Sequence, residues 1–311
     1  MKLTTEIPIF RSEHQIHVSD NLLLMGSCFA QEMGRWLLDR RFNVNQNPNG
    51  ILFHPSVIAR CLRRAAQRVR YGEKEFVFHN ERHHSFDFHG SFSSENSIEL
   101  ESKVNEQLDR CSDSIAKAST LVLTWGSAWG YKWTTTGMWV SNCHKIPQEN
   151  FVKELVTSDE IVAEYQSLLN ELWTINPGLK VIISVSPVRY WRDGAQGNVL
   201  SKSHLLIAAN RLADANAAVH YFPAYEIMMD ELRDYRFYNA DMLHPSSQAV
   251  EYIIGKFQEM FFSEKSKQYV LKSEPFIRFL NHRPLHADES QWRESRSLKE
   301  QELIQLLNLY S

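Results

Sequence analysis

Residues 21–37, NLLLMGSCFAQEMGRWL, contain the pattern that decides the fold. The apolar run at 21–25 is typical of a buried strand, and Gly26 ends it with a tight turn. An amphipathic helix is predicted beyond the turn, because apolar residues recur there at three- and four-residue steps: Phe29, Met33, Trp36 and Leu37. Strand, turn and helix in this order form the repeating unit of an α/β protein.

The rest of the chain repeats this alternation. TLVLTW (120–125) and KVIISVSP (180–187) are predicted buried strands. Helices are predicted from His54-Pro55 onward and over about 94–117, 158–173, 199–218 and 244–262. The segments between them are predicted to be a loop at 43–50, a hairpin at 76–93 and a short extended piece at 219–226. Together these elements predict an α/β fold with a mainly parallel sheet.

Composition excludes several classes of protein. The 311 residues include 8 Trp, 17 Phe and 11 Tyr, far more than a disordered chain carries. A net charge of −3 argues against a nucleic-acid partner, and no apolar run reaches the length of a membrane helix. Four scattered cysteines and an N-terminus without a signal-like apolar core favour a cytoplasmic location. No cofactor is expected.

The domain prediction follows from the same patterns. Residues 1–262 are expected to form one domain, with an inserted helical-hairpin segment at about 55–118. Residues 263–311 are expected to form a helical tail that packs on the outside, with an amphipathic helix at 288–310.

Two sites have the residue types that covalent catalysis needs. Gly26 places Ser27 and Cys28 at a helix N-terminus, where an anion is stabilised and a thiol pKa tends to fall. The alternative is that Ser27 caps the helix and Cys28 fills the core. Asp241 and His244, three residues apart, can act as a carboxylate that orients a general base. Their alternative is a capped turn with a half-buried histidine.

Several long motifs, in order, carry a family resemblance. They are MGSCFAQEMGRWL, NPNGILFHP, LTWGSAWGY, NCHKIPQENF, SVSPVRYWRDGAQGNVLSKSHL and YFPAYEIMMDELRDYRFYNADMLHPSSQAVEYI. The chain resembles the GSCFA family over about residues 20–262, and that family is similar to the SGNH (GDSL-type) hydrolases. The resemblance implies a flavodoxin-like, three-layer α/β/α sandwich with a C-terminal helical extension. It also implies ester hydrolysis or acyl transfer.

The resemblance assigns roles residue by residue. In direct register with the Gly-Asp-Ser of SGNH enzymes, Cys28 is the nucleophile, whereas a shift of one residue makes it Ser27. Asp241 and His244 match the terminal Asp-x-x-His. The Gly-x-Asn that supplies an oxyanion donor is replaced here by Gly126-Ser127-Ala128. The expected donors are therefore the N–H groups of Cys28 and Gly50, with Asn49 or Asn142.

Further polar residues are candidates for substrate contacts. A metal is not expected among His83, His84, Asp87 and His89, because strand alternation places His84 on the face opposite Asp87 and His89. His84 or His89 could instead cover a pocket. Asn142 and His144 belong to either a substrate loop or a simple capped turn. Arg189 and Lys202 either bind an anion or bond backbone carbonyls.

These residues predict an ester hydrolase or acyltransferase that forms a covalent acyl-enzyme. The expected partner is a small-molecule or saccharide acyl ester, by analogy with SGNH enzymes. The alternative is a non-catalytic module that binds a carbohydrate or peptide, with Trp125, Trp129 and Trp133 as its stacking surface.

Overall fold

The computed structural model describes residues 5–282 and 289–311. The first half of the chain contains β1 (Asn21–Gly26), α1 (Cys28–Asp39), β2 (Asn43–Gln46), α2 (Pro55–Ala66), β3 (Val77–His79), β4 (Arg82–His84), α3 (Ser97–Lys117), β5 (Thr120–Trp125), β6 (Trp129–Trp133) and β7 (Trp139–Val140). The second half contains β8 (Phe151–Leu155), α4 (Ser158–Ile175), β9 (Lys180–Val185), α5 (Gly194–Ala215), β10 (Val219–Phe222), α6 (Ala224–Glu226), α7 (Ser247–Phe261), α8 (Glu264–Asn281) and α9 (Glu289–Tyr310).

Five strands form a central parallel sheet in the order β10-β9-β5-β1-β2. Numbered along the chain within this sheet, the order is 2-1-3-4-5, which is that of the flavodoxin-like folds. Such a sheet needs helical crossovers, and these cover both of its faces. The predicted α/β class and three-layer arrangement are therefore confirmed.

Alternate residues of each strand point into two separate cores. On β1, Leu23 packs with α2, α3, α4 and α5, whereas its neighbour Leu24 packs with α1, α7 and the C-terminal helices. Both leucines are fully buried. Because both faces of the sheet are covered, its strands are continuous apolar runs, which explains why they were recognisable in the sequence.

Between the main strands and helices, some elements differ from the prediction and others agree with it. The segment predicted as a loop at 43–50 begins with an edge strand, β2, which pairs with β1. The extended piece at 219–226 contains β10, the opposite edge of the sheet. The predicted hairpin is present as the short antiparallel pair β3–β4. A second antiparallel sheet, β7-β6-β8, was not predicted.

The C-terminal helices extend the core on the α1 face of the sheet. In α8, the Tyr269 hydroxyl donates to the carbonyl of Arg40 at 2.7 Å, and Arg40 pairs with Glu274 at 2.6 Å. Leu303 of α9 is fully buried in the same cluster as Phe29 of α1. None of the helices in the described ranges combines the length and the hydropathy that crossing a bilayer requires.

Candidate active site

A cavity of about 440 Å³ opens at the carboxyl ends of β1, β5 and β9. This is the edge where open parallel sheets bind ligands. The cavity is lined by Ser27, Cys28, Ile51, Phe53, His89, Gly126, Ser127, Ser141, Asn142, Ser186, Val188, Arg189, Tyr190, Trp191, Arg192, Leu243 and His244. Several residues that are far apart in the sequence and have the side chains for chemistry therefore share one space.

Gly26 sets the position of the residues that follow β1. Its φ is +150°, and a Cβ atom there would lie 2.2 Å from the carbonyl oxygen of Thr124. The Ser27 N–H donates to that same carbonyl at 3.0 Å. Only glycine allows this close approach of β1 and β5, and the approach brings Ser27 and Cys28 to the start of α1.

Ser27 and Cys28 differ in their surroundings. Ser27 is buried, and its Oγ accepts a hydrogen bond from the Phe29 N–H at 3.3 Å, as an N-cap does. Cys28 is only partly buried and begins the helix. Burial nevertheless raises the pKa of the Cys28 thiol, which outweighs the hydrogen bond from its backbone that acts to lower it. The lowered thiol pKa that its helix position suggested is therefore wrong.

Asp241 and His244 form a hydrogen-bonded pair. His244 Nδ1 donates to Asp241 Oδ2 at 2.6 Å, so Nε2 is the ring nitrogen left for chemistry. The other carboxylate oxygen accepts the N–H groups of Leu243 at 2.9 Å and His244 at 3.0 Å. These backbone bonds, with the imidazole bond, lower the pKa of Asp241 to about 2. The carboxylate is therefore charged and fixed beside the imidazole at neutral pH.

Several expected oxyanion donors are used elsewhere. The Gly50 N–H donates to the Asn47 carbonyl at 2.7 Å, and the Asn49 side chain donates to the Asp87 carbonyl at 3.2 Å. Neither residue lines the cavity, so both predictions are corrected. Gly126 and Ser127 do line it, but their N–H groups both donate to the carbonyl of Phe53. A donor predicted from the sequence can be unavailable in the fold, because the carbonyl that accepts its hydrogen bond comes from a different segment of the chain.

Of the oxyanion donors expected from the sequence, the Cys28 N–H and the Asn142 side chain lie at the cavity. The Cys28 N–H occupies the first position of α1, where no helical carbonyl can accept it. Asn142 lines the cavity, and its Oδ1 accepts the His144 N–H at 2.8 Å. That bond orients the side chain and leaves its NH₂ group as a donor.

Of the candidate histidines besides His244, only His89 lines this cavity. His84 and His144 stack on one another at 4.6 Å between ring centroids, and each donates from Nε2 to a backbone carbonyl. Their predicted substrate contacts are therefore corrected, because both rings support the fold instead. The described residues contain no cluster of three or more side chains suited to a metal.

The two candidate anion ligands have separate roles. Lys202 is buried and donates to the carbonyls of Gly126 at 2.8 Å and Ser186 at 2.7 Å. Of the two predicted roles, the bonding of backbone carbonyls is thus the observed one. Lys202 lies behind the cavity wall. Burial lowers the pKa of Lys202 to about 7. Arg189 does line the cavity, and its buried Nε has no hydrogen-bond partner in the described part of the chain.

Aromatic residues of the cavity were missed by the sequence analysis. Phe53 and Tyr190 stack with 5.8 Å between their ring centroids, and Trp191 is 49% exposed. Tyr190 and Trp191 lie in the loop SPVRYWRD that follows β9, so their place after a strand was the available signal. The tryptophans expected to form a stacking surface, Trp125, Trp129 and Trp133, do not line this cavity.

Comparison with known proteins gives a family. No curated protein matches the chain. A Streptococcus pneumonia protein whose description names a platelet activating factor is similar in structure, with 10% identity, a TM-score of 0.41, and 78% of this chain and 84% of that one covered. A family 3 carbohydrate esterase from Talaromyces cellulolyticus has 11% identity, a TM-score of 0.36 and coverages of 76% and 94%. Another, from Clostridium thermocellum, has 11% identity, a TM-score of 0.34 and coverages of 85% and 100%. Residues 21–257 match the GSCFA family, which is well over half of the 311 residues, and the chain therefore belongs to the GSCFA family.

Proposed function

We propose that this protein is an ester hydrolase or acyltransferase that works through a covalent acyl-enzyme. The observation that carries the proposal is the Asp241–His244 pair, whose imidazole lines the same cavity as Ser27 and Cys28. A nucleophile, a base and a group that orients the base are the three parts that acyl transfer requires. The acyl group and the acceptor stay open.

Cys28 is the proposed nucleophile. Ser27 is buried and already serves as the cap of α1, whereas Cys28 is less buried and is in register with the nucleophile of SGNH enzymes. Because burial raises the pKa of its thiol, Cys28 needs a base to become a thiolate at neutral pH. His244 Nε2 is the group that takes this proton.

The proposed reaction then has two steps. Cys28 Sγ attacks the ester carbonyl while its proton moves to His244 Nε2, and the tetrahedral oxyanion receives the Cys28 N–H and the Asn142 amide. The C–O bond of the ester breaks, and His244 returns the proton to the departing alcohol. Water or another alcohol then attacks the thioester and gives its proton to His244. The C–S bond breaks, and His244 returns that proton to Cys28 Sγ, which is released as the thiol. Asp241 holds the imidazole and stabilises its cationic form.

The test is the intact mass of the protein after brief exposure to p-nitrophenyl acetate. We expect one acetyl adduct in the wild type and in Cys143→Ala, which removes another partly buried thiol. The adduct should be absent in Cys28→Ala and form about 10²–10⁴-fold more slowly in His244→Ala. Loss of the adduct in Ser27→Ala alone would make Ser27 the nucleophile. Absence of both adduct and turnover in the wild type would contradict the proposed function and favour a binding module.

A further inference from the structure

The wall of the cavity that follows β9 is fixed in place by its backbone. The Arg189 N–H donates to the Leu243 carbonyl at 3.2 Å, which ties this wall to the residue beside His244. The Tyr190 N–H donates to the buried side chain of Asn198 at 3.0 Å. Residues 189–192 are therefore held next to the proposed base, and their side chains contribute directly to the substrate space.

The charge of this cavity is positive. Arg189 and Arg192 both line it, and among the described residues no aspartate or glutamate does. Asp193, the acidic residue that follows them, pairs with Lys153 instead. Within the part of the chain that the structure describes, neither arginine has a carboxylate partner.

The surroundings of Arg189 are aromatic. Its guanidinium carbon lies 5.3 Å from the ring centroid of Trp191. Burial raises the pKa of both Tyr225 and Tyr238, and the positive charge of Arg189 acts against that rise. Phenol and indole rings hold a guanidinium in place without neutralising it. Among the described residues, Arg189 Nε has no hydrogen-bond acceptor although it is shielded from solvent, and an unmade bond of this kind carries a free-energy cost. The guanidinium is therefore not held by an acceptor of its own at Nε.

We propose that the ester bound in this cavity carries a separate anionic oxygen group, such as a carboxylate, which Arg189 binds with support from Arg192. The planar guanidinium fork matches two oxygens of one group, so Arg189 fixes the orientation of the substrate as well as its charge. The hydrogen bond from the Arg189 N–H to the Leu243 carbonyl keeps the backbone of Arg189 beside the residue that precedes His244. That the bound molecule is an ester rests on the proposed function, but the binding of an anion by Arg189 can be tested separately.

The test compares 4-acetoxybenzoate with 4-acetoxyacetophenone, which share the acetyl group and differ in charge at the para position. The quantity measured is the ratio of their kcat/KM values in the wild type, Arg189→Gln and Arg192→Gln. Because every variant is tested with the same two esters, the difference in reactivity between their leaving groups cancels when the ratios are compared. We expect Arg189→Gln to lower it about 10- to 100-fold, the range for one charge-assisted pair, and Arg192→Gln to lower it less.

Arg110→Gln is the control, since Arg110 is an exposed residue of α3 that pairs with Glu106, and it removes the same charge outside the cavity. Its ratio should equal that of the wild type. An equal fall of kcat/KM for both esters in Arg189→Gln would overturn the inference, because Arg189 would then support the site without distinguishing the charged from the neutral substrate.

A binding measurement separates this inference from the proposed function. Titration calorimetry with 4-hydroxybenzoate needs no turnover. If the wild type hydrolyses neither ester but binds 4-hydroxybenzoate, and Arg189→Gln binds it at least tenfold more weakly, the anion site stands and the proposed function fails. Hydrolysis without any preference for the anionic ester, or binding that does not depend on Arg189, would overturn the anion site alone.

Discussion

Cys28 shows how two local effects compete at a single residue. The start of a helix favours a thiolate, but the removal of water around the thiol disfavours it more strongly, so the pKa of Cys28 is raised. A thiol in this state depends on a neighbouring base. In the proposed mechanism the Asp241–His244 pair is that base, and the raised pKa of the Cys28 thiol is the reason the mechanism needs it.

Lys202 gives a prediction about pH. Its side chain is 2% exposed, and burial lowers its pKa to about 7, whereas an unfolded lysine has a pKa of about 10.4. Between these values the unfolded state holds one more proton than the folded state, so raising the pH favours folding. We expect the free energy of unfolding of the wild type to rise by a few kcal/mol from pH 7 to pH 10, relative to Lys202→Met.

The measurement is urea unfolding of both proteins at several pH values, and the difference between them removes the contributions of other groups. Below pH 7 the difference should be constant, because both states of Lys202 are then protonated. Parallel profiles of the two proteins between pH 7 and pH 10 would contradict the prediction.

At the scale of elements, an ion pair between the buried Asp87 and the largely buried Arg60 holds the segment that follows the β3–β4 hairpin. The Asp87 carboxylate accepts Arg60 Nε at 2.8 Å and the Tyr71 hydroxyl at 3.0 Å. Arg60 lies on α2, and His89, two residues after Asp87, lines the cavity. The network therefore connects one wall of the cavity to the core of the molecule.

We expect Asp87→Ala to destabilise the protein by about 3–5 kcal/mol, because it leaves the positive charge of Arg60 without its carboxylate partner. Asp113→Ala is the matched control, since Asp113 pairs with Arg68 at the surface, where both side chains are 57% exposed. That control should leave stability nearly unchanged. The comparison is made by urea unfolding, and equal effects of the two variants would mean that the buried pair does not anchor the segment.

The elements that sequence patterns predicted share one property, which is that a single segment contains their signal. The strands β1, β5 and β9 are apolar runs because helices cover both faces of the sheet. The edge strand β2, with the sequence NVNQ, has one apolar residue and was predicted as a loop. Its strand conformation comes from pairing with β1, which is information that the segment itself does not contain.

The same distinction applies to the site. Ser27, Cys28 and His244 were identified from their positions after strands and from their spacing to other residues, and all three line the cavity. Gly50 was expected to donate to an oxyanion, and Lys202 either to bind an anion or to bond backbone carbonyls, but both donate to backbone carbonyls. Residue type and position indicate where a side chain can act, while the partners it already has decide whether it is available.

At the scale of the whole molecule, the cavity and the C-terminal helices lie in different parts of the fold. The cavity is at the carboxyl edge of the sheet, whereas α8 and α9 contribute to the core on the α1 face. No described residue of α8 or α9 lines the cavity. We therefore expect the C-terminal helices to contribute to stability and to have little effect on the chemistry.

Two leucines of α9 allow this division to be tested within a single helix. Leu303 is fully buried, whereas Leu309 is 74% exposed. Leu303→Ala should destabilise the protein by about 2–5 kcal/mol, because it leaves a cavity in the core, while Leu309→Ala should leave stability nearly unchanged. Below the unfolding transition, both variants should retain the wild-type rate of acetylation by p-nitrophenyl acetate. A slower rate in folded Leu303→Ala would connect α9 to the site, and equal stability of the two variants would mean that α9 is not part of the core in solution.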